Sequence, residues 1–236
     1  MFHYLIQNSN KNLEFQYSFG ACRLYIPQRF LEADQEKIER FIQQNSFATL
    51  VSHEGADLIA THLPLELERE EDAAYLRGHL ARPNQQWRTF NPSQNVLAIF
   101  TGPHAYVSAR WYNHLNVPTW NYIAVYVYGK PRLITAHDEL YAMLKRLVDK
   151  YEAAPPESRY RLENLPPDFV KKEMRGIVGI EIKIERLEAK AKLSQNRNAQ
   201  DYDNIIAELE KSPGENARSL AAEMRGKRQK LFGEQT

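Results

Sequence analysis

A short segment around Arg82 carries the residue types that bind a phosphate group. Residues 77–87 (RGHLARPNQQW) leave a predicted strand and enter a predicted helix. The first N–H groups of a helix lack intrahelical partners and attract anions, and Arg82 and Asn84 add hydrogen-bond donors at the same place. The segment therefore predicts a phosphate site. An arginine on a loop beside a helix cap is the simpler alternative.

Three further segments place polar or aromatic side chains near predicted strand ends. Residues 192–197 (KLSQNR) gather five polar residues just past the last predicted strand, which indicates either a ligand-binding loop or a solvated one. Residues 100–108, continued by Trp111, and residues 117–122 are rich in aromatic side chains. Such side chains usually fill a core, but tryptophans beside turns and polar clusters also suit a flat, partly polar ring.

Other site chemistries find little support in the sequence. His53, His62, His79 and His104 lie on or near predicted strands, but their spacing matches no metal-ligand motif, so we expect no metal site. The single cysteine, Cys22, excludes a Cys-rich zinc site and a disulfide within one chain. The dinucleotide-binding fingerprint, the phosphate loop, His-Glu-x-x-His and Gly-x-Ser-x-Gly are all absent. We therefore name no catalytic residue.

Composition limits the size of the fold and the choice of partners. The 236 residues, 43% hydrophobic and 26% charged, are enough for one well-buried domain with added helices, or two small ones. A formal net charge of +1 gives no overall field for nucleic acid, so any such contact needs a local basic patch. No segment is apolar for long enough to cross a membrane, and the N-terminus does not resemble a signal peptide. We expect a cytoplasmic protein without membrane contact.

Hydrophobic periodicity predicts a β-rich chain with helices between and after the strands. Alternating apolar residues predict six strands, at residues 47–52, 58–63, 74–81, 95–101, 120–134 and 177–187. Helical spacing predicts helices at residues 34–44, 138–151, 167–175, 199–211 and 215–230. Sequential antiparallel strands with short turns favour a closed or nearly closed barrel, which removes exposed sheet edges. The predicted fold is mainly β with peripheral helices (α+β).

Several ordered motifs together resemble the PaiB family, described as FMN-binding negative transcriptional regulators. The shared strings are Tyr25-Ile26-Pro27, Thr61-His62-Leu63-Pro64, Gly78-His79-Leu80-Ala81-Arg82, Gly102-Pro103-His104-Ala105-Tyr106, Trp111-Tyr112, Val117-Pro118-Thr119-Trp120-Asn121-Tyr122 and Lys192-Leu193-Ser194-Gln195-Asn196-Arg197. The similarity extends over about residues 24–210. It implies a split β-barrel of the FMN-binding, pyridoxamine-phosphate-oxidase-like type, with FMN in a groove between the subunits of a homodimer.

The resemblance also implies which residues hold the cofactor. Thr61, His62 and Leu63 line the ring, and His79, Ala81, Arg82 and Asn84 hold the ribityl chain and the phosphate. Lys192, Ser194 and Gln195 close the pocket, while Tyr106, Trp111 and Trp120 approach from the partner subunit. The chain departs from the family at Pro83 and Gln85, and Pro83 removes a backbone N–H that could have met the phosphate.

The same resemblance divides the chain and leaves its activity open. We expect an extension at residues 1–23, an FMN-binding barrel at 24–197 and a helical segment at 198–236. A regulator could contact DNA through the basic C-terminal helix, although the last two helices could instead be a solvated hairpin that clamps the dimer. The alternative is a flavin-dependent oxidoreductase that uses NAD(P)H. A third possibility is a haem-binding or cofactor-free dimeric scaffold.

Overall fold

The computed structural model describes residues 24–70, 72–153, 155 and 160–233, so the predicted extension at 1–23 lies outside the described residues. Its centre is an antiparallel sheet of seven strands. They are β1 (Phe47–Glu54), β2 (Asp57–Pro64), β3 (Glu66–Glu70), β4 (Ala73–Ala81), β5 (Val96–Val107), β6 (Thr119–Ile134) and β7 (Ile177–Lys192). The strand order is β2-β1-β5-β6-β7-β4-β3. Every pairing is antiparallel.

The sheet curls until β2, at one edge, meets β4, next to the other edge, as the predicted barrel requires. The end of β2 lies against β4 at Gly78. A Cβ atom at this position would stand 2.4 Å from the carbonyl oxygen of Pro64, so only glycine permits the approach. The backbone N–H of Leu65 also donates to the carbonyl of Ser46 at 2.9 Å. These contacts bring Thr61, near the end of β2, beside the end of β4.

The two faces of the curled sheet differ in their side chains. The inner face holds the main core, for example Leu50, Phe100 and Val127, each 0% exposed. The opposite face of β5 and β6, which we call the outer face, carries half-buried Leu97, Ile99, Tyr122, Tyr126 and Tyr128. Antiparallel partners share a face, so this apolar and aromatic surface is continuous across the two strands.

Five α-helices in the described chain surround the sheet. They are α1 (Gln35–Gln44), α2 (His137–Tyr151), α3 (Pro167–Met174), α4 (Ala199–Lys211) and α5 (Glu215–Phe232). The side chain of Asp34 caps α1 by accepting from the N–H of Lys37 at 3.2 Å, while Ile38 and Ile42 enter the core. No helix in the described ranges is both long and apolar enough to cross a bilayer.

The helices form two separate clusters. Leu140 and Met143 of α2 pack with Val170 and Met174 of α3 beside the end of β6. Tyr202 and Ile205 of α4 pack with Leu220 and Met224 of α5 against the ends of β5 and β7. The last two helices therefore bury an apolar face on the barrel.

Three strand predictions needed correction. β3 was missed, because its sequence ELERE is mostly charged and follows a proline that was taken as the end of the preceding strand. β5 was predicted to end at Thr101, but it continues through a register irregularity at residues 101–104 to Val107. β7 was predicted to end at Leu187 and reaches Lys192, so Lys192 belongs to the strand rather than to the loop after it. The helix predictions were confirmed to within two residues at their ends.

An ionic network ties β4, β6 and β7 together at one end of β7. The carboxylate of Glu181, 6% exposed, accepts from Arg77 Nε at 2.7 Å and from Arg132 Nε at 2.9 Å. Arg77 also pairs with Glu68 and Glu70, and Arg132 pairs with Glu139. Burial raises the pKa of Glu181. Arg132 and Arg77 lower it by more than burial raises it, so the pKa of Glu181 lies below its ordinary value.

Candidate functional site

The end of β4 brings four of the expected site residues together. The amide of Asn84 donates to the hydroxyl of Thr61 at 2.9 Å, and the N–H of Asn84 donates to the carbonyl of Ala81 at 2.9 Å. Asn84 also caps the short 3-10 helix Gln85–Thr89 by accepting from Gln86 N at 3.0 Å. The turn after β4 thus holds Thr61, Ala81, Arg82 and Asn84 as one group, which we call the Arg82 group.

Arg82 is anchored on one side and exposed on the other. Its Nε donates to the carbonyl of Arg175 at 2.6 Å, and its Nη2 donates to the carbonyl of Ile177 at 2.8 Å. Two of its five N–H groups are therefore used, and no carboxylate of the described residues pairs with it. The predicted helix is only a five-residue 3-10 helix. A terminus this short offers an anion little, so the guanidinium, with three N–H groups left, carries most of the donor capacity of this turn.

Two residues expected to line the ring lie on opposite faces of β2. Leu63 is 4% exposed and belongs to the barrel core, so a ligand outside the barrel reaches only its backbone. His62 lies on the outer face, where it is exposed and stacks on Phe47 with ring centroids 6.1 Å apart. The expectation of a common ring-lining role for both side chains therefore needs correction.

His79 faces the helices rather than the Arg82 group. It lines a cavity of about 300 Å³ beneath α3, together with Leu144, Phe169 and Met174. Burial lowers the pKa of its imidazole. A neutral histidine in apolar surroundings suits a neutral hydrogen-bonding group better than a phosphate.

A second group of expected residues lies at the other end of β7. Tyr106 and Trp120, directly opposite each other on β5 and β6, make an edge-to-face contact with centroids 6.0 Å apart. Both rings are about half exposed. The Lys192 amino group donates to the carbonyl of Trp120 at 2.8 Å and also to the hydroxyl of Thr119.

Ser194 and Gln195 bond to neighbouring parts of the chain. Ser194 is 3% exposed, and its hydroxyl exchanges hydrogen bonds of 2.9 and 3.1 Å with the amide of Asn121 on β6. Gln195 accepts from the N–H of Leu193 at 2.7 Å and donates to the carbonyl of Ala191 at 2.5 Å. These bonds shape the turn that ends β7, and the expected contact of the two residues with a cofactor stays a prediction.

Trp111 lies apart from Trp120. It is half-buried against the cluster of α4 and α5, and its carbonyl accepts from the amide of Asn204 at 3.2 Å. Its ring therefore contributes to packing within the chain, and Trp120 is the tryptophan of the exposed surface.

The structure adds four residues to which the sequence analysis assigned no contact with the cofactor. His104 and Tyr122 are cross-strand partners beside Trp120. Lys190 stands over the Tyr122 ring at 5.5 Å, and Arg197 stands over the Tyr112 ring at 4.7 Å. The alternation of β6 could have indicated Tyr122, and Arg197 ends the segment that was already noted for its polar residues.

The two groups do not meet within one chain. The Arg82 group lies at the Ile177 end of β7, because Ala81 pairs with Ile177, whereas Trp120 lies at the opposite end, because its neighbour Tyr122 pairs with Lys192. Tyr106 and Trp120 also lie several residues farther along the strands than the row that contains His62. A ligand that contacts both groups therefore requires two copies of the chain.

Two other kinds of site would depend on a metal cluster or on the basic side chains of α5. Among the described residues, no three His, Cys, Asp or Glu side chains come close enough together to hold a metal ion. The basic side chains of α5 mostly have partners already. Lys227 pairs with Glu32, Arg225 with Glu210, and Arg228 with Asp203. Arg218 donates to two backbone carbonyls at the end of α4.

Solved structures with the same architecture establish the class of fold. The chain matches the flavocytochrome Anf3 from Azotobacter vinelandii with a TM-score of 0.50 at 17% identity, over 69% of each chain. It matches the conserved hypothetical protein Rv2991 from Mycobacterium tuberculosis with a TM-score of 0.51 at 11% identity, over 74% of this chain and 94% of that one. The protein has a split β-barrel fold of the FMN-binding type.

Sequence comparison gives the family. Residues 24–186 match the family described as "Putative FMN-binding domain". "Protease synthase and sporulation protein PAI 2" of Bacillus subtilis is 44% identical over 207 residues, which cover 88% of this chain and 99% of that protein. "Uncharacterized protein AN0679" of Emericella nidulans is 26% identical, over 79% of this chain and 90% of that protein. The chain belongs to the PaiB family of FMN-binding split-barrel proteins.

Family membership identifies FMN as the cofactor, and the Arg82 group has the chemistry to hold it. Arg82 keeps three N–H groups for a phosphate, and Thr61 and Asn84 are polar neighbours suited to a polyhydroxyl chain. The exposed rings of Tyr106 and Trp120 offer the flat surface that a flavin ring needs. The residues therefore fit the cofactor, provided that the two surfaces come from different subunits.

Proposed function

We propose that the protein is a homodimeric, FMN-binding regulator in which each flavin lies between two subunits. Arg82 holds the phosphate, and Thr61 and Asn84 contact the ribityl chain. Tyr106 and Trp120 of the partner subunit cover the ring. The observation that carries this proposal is the separation of the two groups within one chain.

The outer face supplies a surface on which a second copy can dock. Leu97, Ile99, Tyr126 and Tyr128 form a half-buried apolar and aromatic area across β5 and β6. The Arg186 guanidinium stacks on the Tyr128 ring at 3.6 Å and pairs with Glu188, so the charges beside Tyr128 are balanced locally. Two copies related by a two-fold axis can therefore meet through this part of the surface without charge repulsion.

The Arg82→Ala variant tests the phosphate contact. Removing a charged hydrogen bond should weaken FMN binding by roughly 2–3 kcal/mol, which is about 30- to 150-fold in Kd. FMN titration by calorimetry measures this change. Because Arg82 also binds two carbonyls of the chain, the Tm of the FMN-free variant must be recorded alongside. Arg88→Ala is the matched control, since Arg88 is exposed on the same turn and contacts only the Trp87 ring. Unchanged affinity in Arg82→Ala contradicts the assignment.

A charge placed on the outer face tests the dimer. Tyr126→Glu should yield monomers by light scattering and should lose FMN at the same time, because the site needs both copies. Ser219→Glu on the exposed side of α5 is the control and should remain dimeric. A monomer that binds FMN with the affinity of the parent protein contradicts the two-subunit site.

The regulatory role is supported by the named relative. That protein's name connects it with protease synthesis and sporulation, which suits control of gene expression. The lone cysteine agrees with a cytoplasmic setting. Direct DNA contact through α5 stays a prediction, and the pairing of Arg225, Lys227 and Arg228 limits it. Binding to duplex DNA measured against salt should give a shallow slope, about one to two ions, if only the unpaired cations meet phosphates.

A flavin-dependent oxidoreductase is the second candidate. Bound FMN supplies hydride and one-electron chemistry, and the chain's part is to place a second reactant beside the exposed face of the ring. Steady-state oxidation of NADH or NADPH with FMN-loaded protein separates this activity from a purely regulatory role. The unpaired cations beside Trp120 favour this candidate.

A further inference from the structure

The end of β7 gathers positive charges that no acidic side chain balances. We call Lys190, Lys192, Arg197, Trp120 and Tyr122 the cationic patch. Lys190 and Lys192 lie on the same side of β7, opposite Ala124 and Tyr122 of β6. No ion pair to a carboxylate joins any of the three cations within the described ranges, whereas Arg77 and Arg132, near the other end of β7, both pair with Glu181.

The three charges affect one another. Burial, followed by Lys190 and Arg197, lowers the pKa of the Lys192 amino group. The shift follows from like charges that are held together in a partly buried place. Such an arrangement costs folding energy unless a counter-charge binds.

Buried polar atoms without partners lie at the same corner. The Nε of Arg197 and the hydroxyl of Tyr112 are buried, and neither has a hydrogen-bond partner in the described part of the chain. The guanidinium stands over the Tyr112 ring at 4.7 Å, so the two atoms belong to one contact. Buried N–H and O–H groups are normally satisfied. Two donors at this corner are therefore left unused by the described part of the chain.

Aromatic rings flank these cations. Lys190 lies 5.5 Å from the centroid of the Tyr122 ring, and Lys192 donates to the carbonyl of Trp120. Tyr106 and His104 extend the aromatic surface on β5. Trp120 is 54% exposed, so its ring is open to stacking.

We propose that the cationic patch binds a second, phosphate-bearing aromatic ligand next to the flavin. Three positive charges match a phosphate dianion or a pyrophosphate, and arginine is suited to phosphate recognition. Tyr122, beside Lys190, stacks against the ring of the ligand. The inference rests on the proposed function in one respect, which is that Arg82 already holds the flavin phosphate. The second ligand is then the reaction partner or effector of the flavin.

Binding of ADP to the FMN-loaded protein tests this inference. ADP carries both a ring and phosphates, while inorganic pyrophosphate and adenosine each carry one of the two. Calorimetry should show ADP binding, with pyrophosphate and adenosine each at least tenfold weaker. Lys192→Met and Arg197→Met should each weaken ADP at least tenfold, and Tyr122→Ala should weaken ADP while leaving pyrophosphate unchanged.

Two control variants separate this site from the flavin site. Lys183→Met removes an exposed lysine from the same strand outside the patch, and it should leave ADP binding unchanged. Arg82→Ala should lose FMN affinity while FMN-free protein keeps its ADP affinity. Failure of ADP to bind overturns the inference. Loss of FMN rather than ADP in Lys192→Met also overturns it, because the patch would then hold the flavin phosphate.

Discussion

The two ends of β7 differ in how the charged side chains around them are paired. At one end Glu181 is enclosed by Arg77 and Arg132, and each of these arginines has further carboxylate partners. At the other end Lys190 and Lys192 have no acidic partner among the described residues. A charge that is satisfied within the chain stabilises the fold, whereas a charge that is left over is available to a ligand. One strand therefore joins a structural region to a binding region.

The largest effect on stability is expected from a substitution at Glu181, in the paired end of β7. Glu181→Gln leaves Arg77 and Arg132 with one buried partner fewer, and we expect a loss of about 3 kcal/mol in the free energy of unfolding. Urea unfolding measures it. Glu163→Gln, an exposed carboxylate paired with Lys145, is the control and should lose much less stability. Equal losses in the two variants would refute a structural role for the network.

A second variant tests the hydrogen bonds between the uncharged side chains of Ser194 and Asn121, at the cationic end of β7. Ser194→Ala leaves the fully buried Asn121 amide with only the Met224 sulfur, at 3.6 Å. The expected loss is about 2 kcal/mol, the scale of an unsatisfied buried amide. Ser219→Ala on the surface of α5 should change stability by less than about 0.5 kcal/mol. A Ser194→Ala protein as stable as its parent would show that this turn does not depend on the Ser194–Asn121 bonds.

The pH dependence of stability sharpens the contrast further. Because the folded-state pKa of Glu181 is lowered, its stabilisation is present above the unfolded-state pKa, and it is lost as pH falls through the folded-state pKa. The stability gap between the parent and Glu181→Gln should therefore shrink when the pH falls from 6.5 to below the ordinary value of 4.5. Urea midpoints at the two pH values give the result. A constant gap contradicts an ionised Glu181.

The smallest effect is expected at Lys192. Its pKa is lowered by burial and by neighbouring cations, so Lys192→Met should leave the free energy of unfolding unchanged or raise it by less than about 1 kcal/mol. Lys145→Met removes a lysine that is paired with Asp149, and it should instead slightly lower the free energy of unfolding. Thermal unfolding distinguishes the two signs. A clear loss in Lys192→Met would place that lysine among the structural charges.

The sequence predicted the barrel well, because apolar alternation is a local signal. It missed β3, where Leu67 is the only apolar residue and the partners of the acidic residues come from β4 and α2. It did not predict that Thr61 contacts Asn84, and the cofactor roles given to these two residues and to Arg82 stay predictions. Nor did it predict that Ser194 bonds to Asn121 and Gln195 to Ala191, since the partner of a side chain after a turn depends on residues that only the fold brings close.

The charged strand β3 also determines how copies of the protein can assemble. β3 is the last strand of the sheet, and Glu66, Glu68 and Glu70 alternate along it while engaging Lys150, Arg146 and Arg77. A further strand laid along this border would meet a row of carboxylates and their counter-ions, and such rows resist edge-to-edge aggregation. Growth of the sheet into a fibre is therefore blocked at this border. In the proposed homodimer the copies meet instead through the outer face, and a two-fold contact of this kind closes after two copies.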